Sequence, residues 1–136
     1  MKRLILLLSV LILGLFITVF SACSGDNGTE LPGDKIEIRP APIHEVDVRI
    51  AESFPPQIFV YIQGGLSDGC TSFHELETER VGNTFNIEVT VQRPGNAECT
   101  VVYGYFEKNV ALGTDFISGE TYTINVNDYT TEFKMQ

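Results

Sequence analysis

The chain has 136 residues, with 18 Asp+Glu against 9 Lys+Arg, three Cys and no Trp. That length holds one ordinary domain and excludes a large multidomain enzyme. The formal charge of −9 argues against nucleic-acid binding, which needs a basic face to displace counterions.

Lys2 and Arg3 precede a run from Leu4 to Phe20 that contains no charged residue. A basic start, an apolar stretch and small residues at its end make a secretory signal pattern over residues 1–22. Phe20-Ser21-Ala22-Cys23 resembles the bacterial lipobox, with an apolar first position and the small-small-Cys ending. The resemblance implies cleavage before Cys23 and a diacylglyceryl thioether on its sulfur. One acyl chain holds a protein only marginally, whereas two or three hold it stably. Ser24 follows the cysteine where an inner-membrane retention signal often has Asp. The expected location is therefore the cell envelope, anchored outside the cytoplasm to the outer face of the cytoplasmic membrane or to the outer membrane. An uncleaved span is disfavoured, since 17 residues is at the short limit for a bilayer of about 20.

Without the leader, seven basic residues face all 18 acidic ones, a formal charge of −11. Beyond Cys23 there are 10 Val, 9 Ile and 11 Thr but only 4 Leu and 4 Ala. β-branched residues fit pleated sheets and lose side-chain freedom in helices, so the fold class is all-β. Residues 23–42 are expected to be the lipidated Cys and a flexible tether, because Ser24 to Asp34 has little to bury. Ile36 and Ile38 alternate with Glu37 and Arg39, which allows a short edge strand before Pro40.

From residue 43 to 136, segments of period two recur. Val46, Val48 and Ile50 share one face of the first. Ile58 to Ile62 is apolar on both faces and should be a central strand, which Gly64-Gly65 is expected to end. Phe73 to Val81 should be a polar edge strand, with Glu75, Glu77 and Glu79 on one face. Gly82-Asn83 makes a hairpin turn, where a positive φ is needed. Phe85, Ile87, Val89 and Val91 then point inward, with Asn86, Glu88 and Thr90 outward. After an Arg93-to-Asn96 loop, Val101 to Phe106 is expected as the fifth strand. Tyr122, Ile124 and Val126 mark the sixth. Asn127-Asp128 turns the chain, and Phe133 and Met135 face inward on the last.

Seven strands in this length suit a single antiparallel β-sandwich of the immunoglobulin-like kind. Gly119-Glu120-Thr121-Tyr122 resembles the approach to a tyrosine-corner strand, although the usual spacing is Gly-x-Tyr. Residues 52–133 are similar to an uncharacterised domain of bacterial cell-surface proteins. The similarity lies in Gly64-Gly65-Leu66 before Cys70-Thr71, in Gly82-Asn83-Thr84-Phe85, in Cys99-Thr100 and in Tyr122 to Asn127. It implies fold and compartment, and no activity.

Exported proteins meet an oxidising compartment. With Cys23 lipidated, Cys70 and Cys99 remain as an even pair. One hairpin carries the chain out and back between them, so the same end of the sandwich should hold both, and a disulfide is expected. The alternative, a metal site of Cys70, His74 and Cys99 with His44, lacks tight ligand spacing, so no metal is expected.

Nucleophilic catalysis needs a nucleophile, a base and an orienting group. His44 and His74 are the only imidazoles, and no Gly-x-Ser-x-Gly elbow exists. His44 is in register with Val46 and Ile50, which places it at a strand end half covered by the core; His74 is expected on the solvated surface. The glutamates of the third strand read as a charged edge that blocks sheet-to-sheet association. Tyr103 and Tyr105 are expected in the core, with a sugar-binding platform as the alternative. The expected protein is a monomeric, non-catalytic envelope lipoprotein without a cofactor. Membrane lipid, through acylated Cys23, is its expected partner, with a protein or the cell wall as a further one. The alternative is an inhibitor of an exported hydrolase of protease or lysozyme type. The Asn-Pro-Thr-Thr-Gly loop of chagasin-like inhibitors is absent, and Arg93-Pro94-Gly95 matches only a fragment of their Arg-Pro-Trp loop.

Overall fold

A computed structural model describes residues 35–136. The expected leader, the expected lipidation site Cys23 and most of the expected tether lie outside the described residues. Among the described residues the eight elements are all strands: β1 Ile36–Pro40, β2 Ile43–Ile50, β3 Ile58–Leu66, β4 Ser72–Val81, β5 Thr84–Pro94, β6 Gly104–Gly113, β7 Thr121–Val126 and β8 Tyr129–Lys134. They form a β-sandwich of a five-stranded and a three-stranded sheet.

The core follows the alternation. Phe85, Ile87, Val89 and Val91 of β5 are buried, as are Tyr122, Ile124 and Val126 of β7. They face Ile58, Val60 and Ile62 of β3, and Met135 and Ala41 close the edges. Each fully buried Ile or Val side chain contributes about 1.5–3 kcal/mol. β3 is central in its sheet, between β2 and β6, and β4 is an edge strand on β5. Gly82 turns the β4–β5 hairpin at φ 61°. Tyr122 is fully buried, and its hydroxyl accepts a 2.8 Å bond from the Ile117 N–H, five residues upstream. The wider Gly119-to-Tyr122 spacing therefore still makes a bond of the tyrosine-corner type.

Three expectations about the frame are corrected. The sandwich begins at Ile36 and not at 43, because β1 pairs antiparallel with β5 from Ile36↔Pro94 to Pro40↔Thr90. This edge strand makes the count eight. The sandwich is also not wholly antiparallel. β7 runs parallel to β5 over Thr84–Ile87. β4 occupies the other edge of β5, so β1 and β7 share one edge end to end.

Asn127 splices that shared edge. At φ 51° its side chain lies in the gap, where Oδ1 accepts from the Val89 N–H at 2.9 Å. Its Nδ2 donates to the carbonyls of Ala41 at 2.8 Å and Val89 at 2.9 Å. A side-chain amide thus stands in for a missing peptide group and pairs the Val89 N–H and the Ala41 carbonyl.

The third correction concerns β6, expected over 101–106 and found at Gly104–Gly113. Its inward positions are Phe106, Lys108, Val110 and Leu112, so a lysine interrupts the apolar pattern. Lys108 is accommodated because its Nζ lies 3.8 Å from the centroid of the Phe73 ring. Glu107-Lys108-Asn109 hid the strand from a reading based on apolar alternation.

Candidate functional site: an aromatic outer face

Gly64-Gly65 does not end β3; both glycines are paired inside it, opposite Phe106 and Tyr105. An added Cβ at Gly64 would stand 2.1 Å from Phe106 Cζ, so that ring lies across the strand on the core side. An added Cβ at Gly65 would stand 1.9 Å from Tyr103 Oη and 2.7 Å from His44 Nε2 on the outer side. The glycine pair is a saddle with an aromatic ring on each face. With Phe106 inside, the alternation of β6 turns Tyr105 outward.

Tyr103 and Tyr105, expected in the core, are therefore 47% and 61% exposed. His44, expected half covered by the core, is also exposed on the outside. The register of β2 on β3 shifts between Ile43 and Glu45, and this bulge re-aims His44. Nε2 of His44 and the hydroxyl of Tyr103 are 2.6 Å apart. The rings of His44, Tyr103 and Tyr105 meet edge to face, with centroids 5.3–5.8 Å apart and interplanar angles of 69–72°.

The same face continues along the sheet. The Arg49 guanidinium lies 4.5 Å from the centroid of the Tyr61 ring. Desolvation first, then the negative charge of the Glu107 carboxylate beside the phenol, push the Tyr61 hydroxyl above its ordinary range, with Arg49 pulling the other way. Glu45 and Glu107 flank the three-ring cluster. Flat ring faces, two phenols and an imidazole are groups for stacking and hydrogen bonding. His44 is held by a phenol and not by a carboxylate that would orient a general base.

The other singled-out residues lie apart from this cluster. Cys70 and Cys99 form the disulfide, with Cα atoms 5.6 Å apart. Their sulfurs are joined to each other, and no group of three or more His, Cys, Asp or Glu among the described residues is placed to hold a metal. His74 is half-buried in β4, and its Nδ1 is 3.1 Å from Thr90 Oγ1. Glu75, Glu77 and Glu79 line that edge strand, with Glu77 directly opposite Glu88.

Around the disulfide lies a polar network that sequence reasoning missed. Asp68 Oδ1 accepts from the Cys70 N–H at 3.1 Å, the Thr71 N–H at 2.9 Å and the Thr71 hydroxyl at 2.7 Å. Its Oδ2 is 3.3 Å from Arg93 Nη2. The Ser67 hydroxyl is 3.1 Å from that of Thr71 and accepts from Arg39. The Thr71 hydroxyl bond first, and also the Cys70 and Thr71 amides and Arg93, hold the Asp68 carboxyl below its usual range against an opposing desolvation. The sequence signal was Ser67-Asp68-Gly69, an Asx-turn pattern.

Residues 60–135 match the family described as the ORF11 beta-sandwich domain, and the chain belongs to that family. Two similar proteins are from Herpetosiphon aurantiacus. One, an uncharacterised 10.2 kDa protein in the HgiCIIM 5' region, is 42% identical over 93 residues, covering 68% of this chain and 98% of that protein. The other, an uncharacterised 10.2 kDa protein in the HgiBIM 5' region, is 45% identical over 83 residues, covering 61% of this chain and all of that protein. No solved structure matches the chain.

Proposed function

We infer that the protein is a cell-envelope lipoprotein anchored through acylated Cys23, whose β-sandwich is a non-catalytic, extracytoplasmic contact module. The ordered leader of Lys2-Arg3, an apolar run and Ser21-Ala22-Cys23 supports the anchor. The observation that carries the contact role is the exposed His44–Tyr103–Tyr105 cluster built over Gly65. The Tyr122 bond to Ile117 supports an immunoglobulin-like ancestry for the sandwich.

The anchor is tested by intact mass and detergent partition of the exported protein. The expected result is lipid mass on an N-terminal Cys23, lost in Cys23→Ala. A Cys23→Ala chain processed and retained normally would refute it. Inhibition assays with lysozyme and papain-type proteases separate the inhibitor alternative, since only an inhibitor would act stoichiometrically.

A further inference from the structure

Exposed apolar side chains gather at the disulfide end of the sandwich. Val101 is 97% and Val102 62% exposed, in the segment between Cys99 and β6. Tyr103 and Tyr105 continue that surface, and Ile36, paired with Pro94, is exposed at the same end. The opposite end also exposes Ile50, Phe54, Val81 and Ile117, but these come from four separate segments rather than one continuous run.

The chain from Cys23 reaches the sandwich at this same end. The Lys35 carbonyl accepts from the Gly95 N–H beside the start of β1. Eleven residues separate Cys23 from Lys35, and even fully extended they reach no farther than about 40 Å. Lys35, Arg39 and Arg93 offset part of the acidic charge there, which comes from Glu37, Asp68 and Glu98 and from Glu45 and Glu107 beside the rings.

We propose that this end docks into the headgroup–acyl boundary of the bilayer that holds Cys23, with Val101 and Val102 inserted and Tyr103 and Tyr105 at headgroup level. The proposal rests on the lipid-anchor reading and names the partner of the aromatic face. Valine has no polar group to desolvate, and tyrosine suits a boundary because its ring is apolar and its hydroxyl stays wet. Two valines cannot hold a free domain on a membrane. A lipid tether makes the contact intramolecular, so a weak surface suffices. The segment is ordered beforehand by the Cys70–Cys99 bridge, by the Gly69 N–H bond to the Thr100 carbonyl and by the His44–Tyr103 pair.

The chain has no Trp, so a single introduced Trp reports alone. Full-length, lipidated Val101→Trp protein is placed in vesicles of phosphatidylethanolamine and phosphatidylglycerol with brominated acyl chains. The expected result is blue-shifted emission quenched by the brominated lipid, lost when Val102→Asp is added. Phe54→Trp, at the opposite end, is expected to show neither effect. Unquenched Val101→Trp emission on protein whose Cys23 lipid is confirmed by mass overturns the docking and leaves the anchor standing. Unmodified Cys23 overturns the anchor, and the docking with it. A blue shift without vesicles that grows with protein concentration means a second copy covers the surface, and also overturns the docking.

Discussion

The inner face of β5 and the disulfide end of β3 are both apolar in sequence, yet different physics decides them. Along β5, Phe85, Ile87, Val89 and Val91 alternate without a break and all four are buried. At the end of β3 the chain offers two glycines, with Tyr103, Tyr105 and Phe106 on the neighbouring segment. There Phe106 goes in because it lies opposite Gly64, and Tyr103 stays out on Gly65. Alternation decides which side chain is inside only where one face is apolar and pairing is regular. Where both faces are apolar, the cross-strand partner decides.

The largest effect that sharpens this contrast is expected at the disulfide. Replacing Cys70 and Cys99 together by Ser opens a loop with a sequence separation of 29. The loss expected in urea unfolding is about 3.5 kcal/mol in the chain-entropy model. Hydrogen exchange should rise first in residues 97–103, with β5 protected until global unfolding. Early exchange in β5 would erase the contrast.

Asn127→Gly tests the opposite claim, that pattern alone builds the five-stranded sheet. Glycine keeps the positive φ of Asn127 but deserts the Val89 N–H and the Ala41 carbonyl. A loss of about 2–3 kcal/mol is expected, from leaving buried backbone groups unpaired. A loss in the range of a surface substitution would mean that the splice is dispensable.

The glycine pair gives a smaller, differential effect. Gly64→Ala pushes a methyl into the Phe106 ring inside the sandwich, and overpacking of this kind costs about 1–3 kcal/mol. Gly65→Ala is expected to cost less, because exposed Tyr103 can swing into solvent and give up its bond to His44. Thermal melts of the two variants check the order. Equal losses would mean that the outer rings are packed as tightly as the core.

The smallest effect is that of pH. The folded Asp68 carboxyl is held below its usual range, chiefly by the Thr71 hydroxyl. Its contribution is therefore complete above the unfolded value of about 3.9 and is lost as pH falls through the depressed folded value. Asp68→Asn should flatten the acid limb of stability against pH between those two values. An unchanged limb would remove the network from the account of this end.

Much of the fold was legible in the chain. β-branched composition and period two located the β5 and β7 core, the central β3 and the polar edge β4. The Cys70–Cys99 pairing is legible because a hairpin returns the chain to its starting end. The β6 boundary was not legible, since Lys108 occupies an inward position, half-buried over the Phe73 ring. The aromatic face is not legible for a related reason. No local pattern distinguishes a tyrosine covering a core from one covering a glycine on the opposite strand.

The sequence by itself determined an all-β sandwich, its principal core, the disulfide and an acidic composition. Local periodicity, composition and residue chemistry carry that information directly. Tertiary structure alone decided that β7 would join β5 in parallel, with Asn127 closing the gap to β1. It alone decided that His44, Tyr103 and Tyr105 would share an outer face. Both outcomes depend on which strands become neighbours, and neighbours far apart in sequence leave no mark in a local pattern.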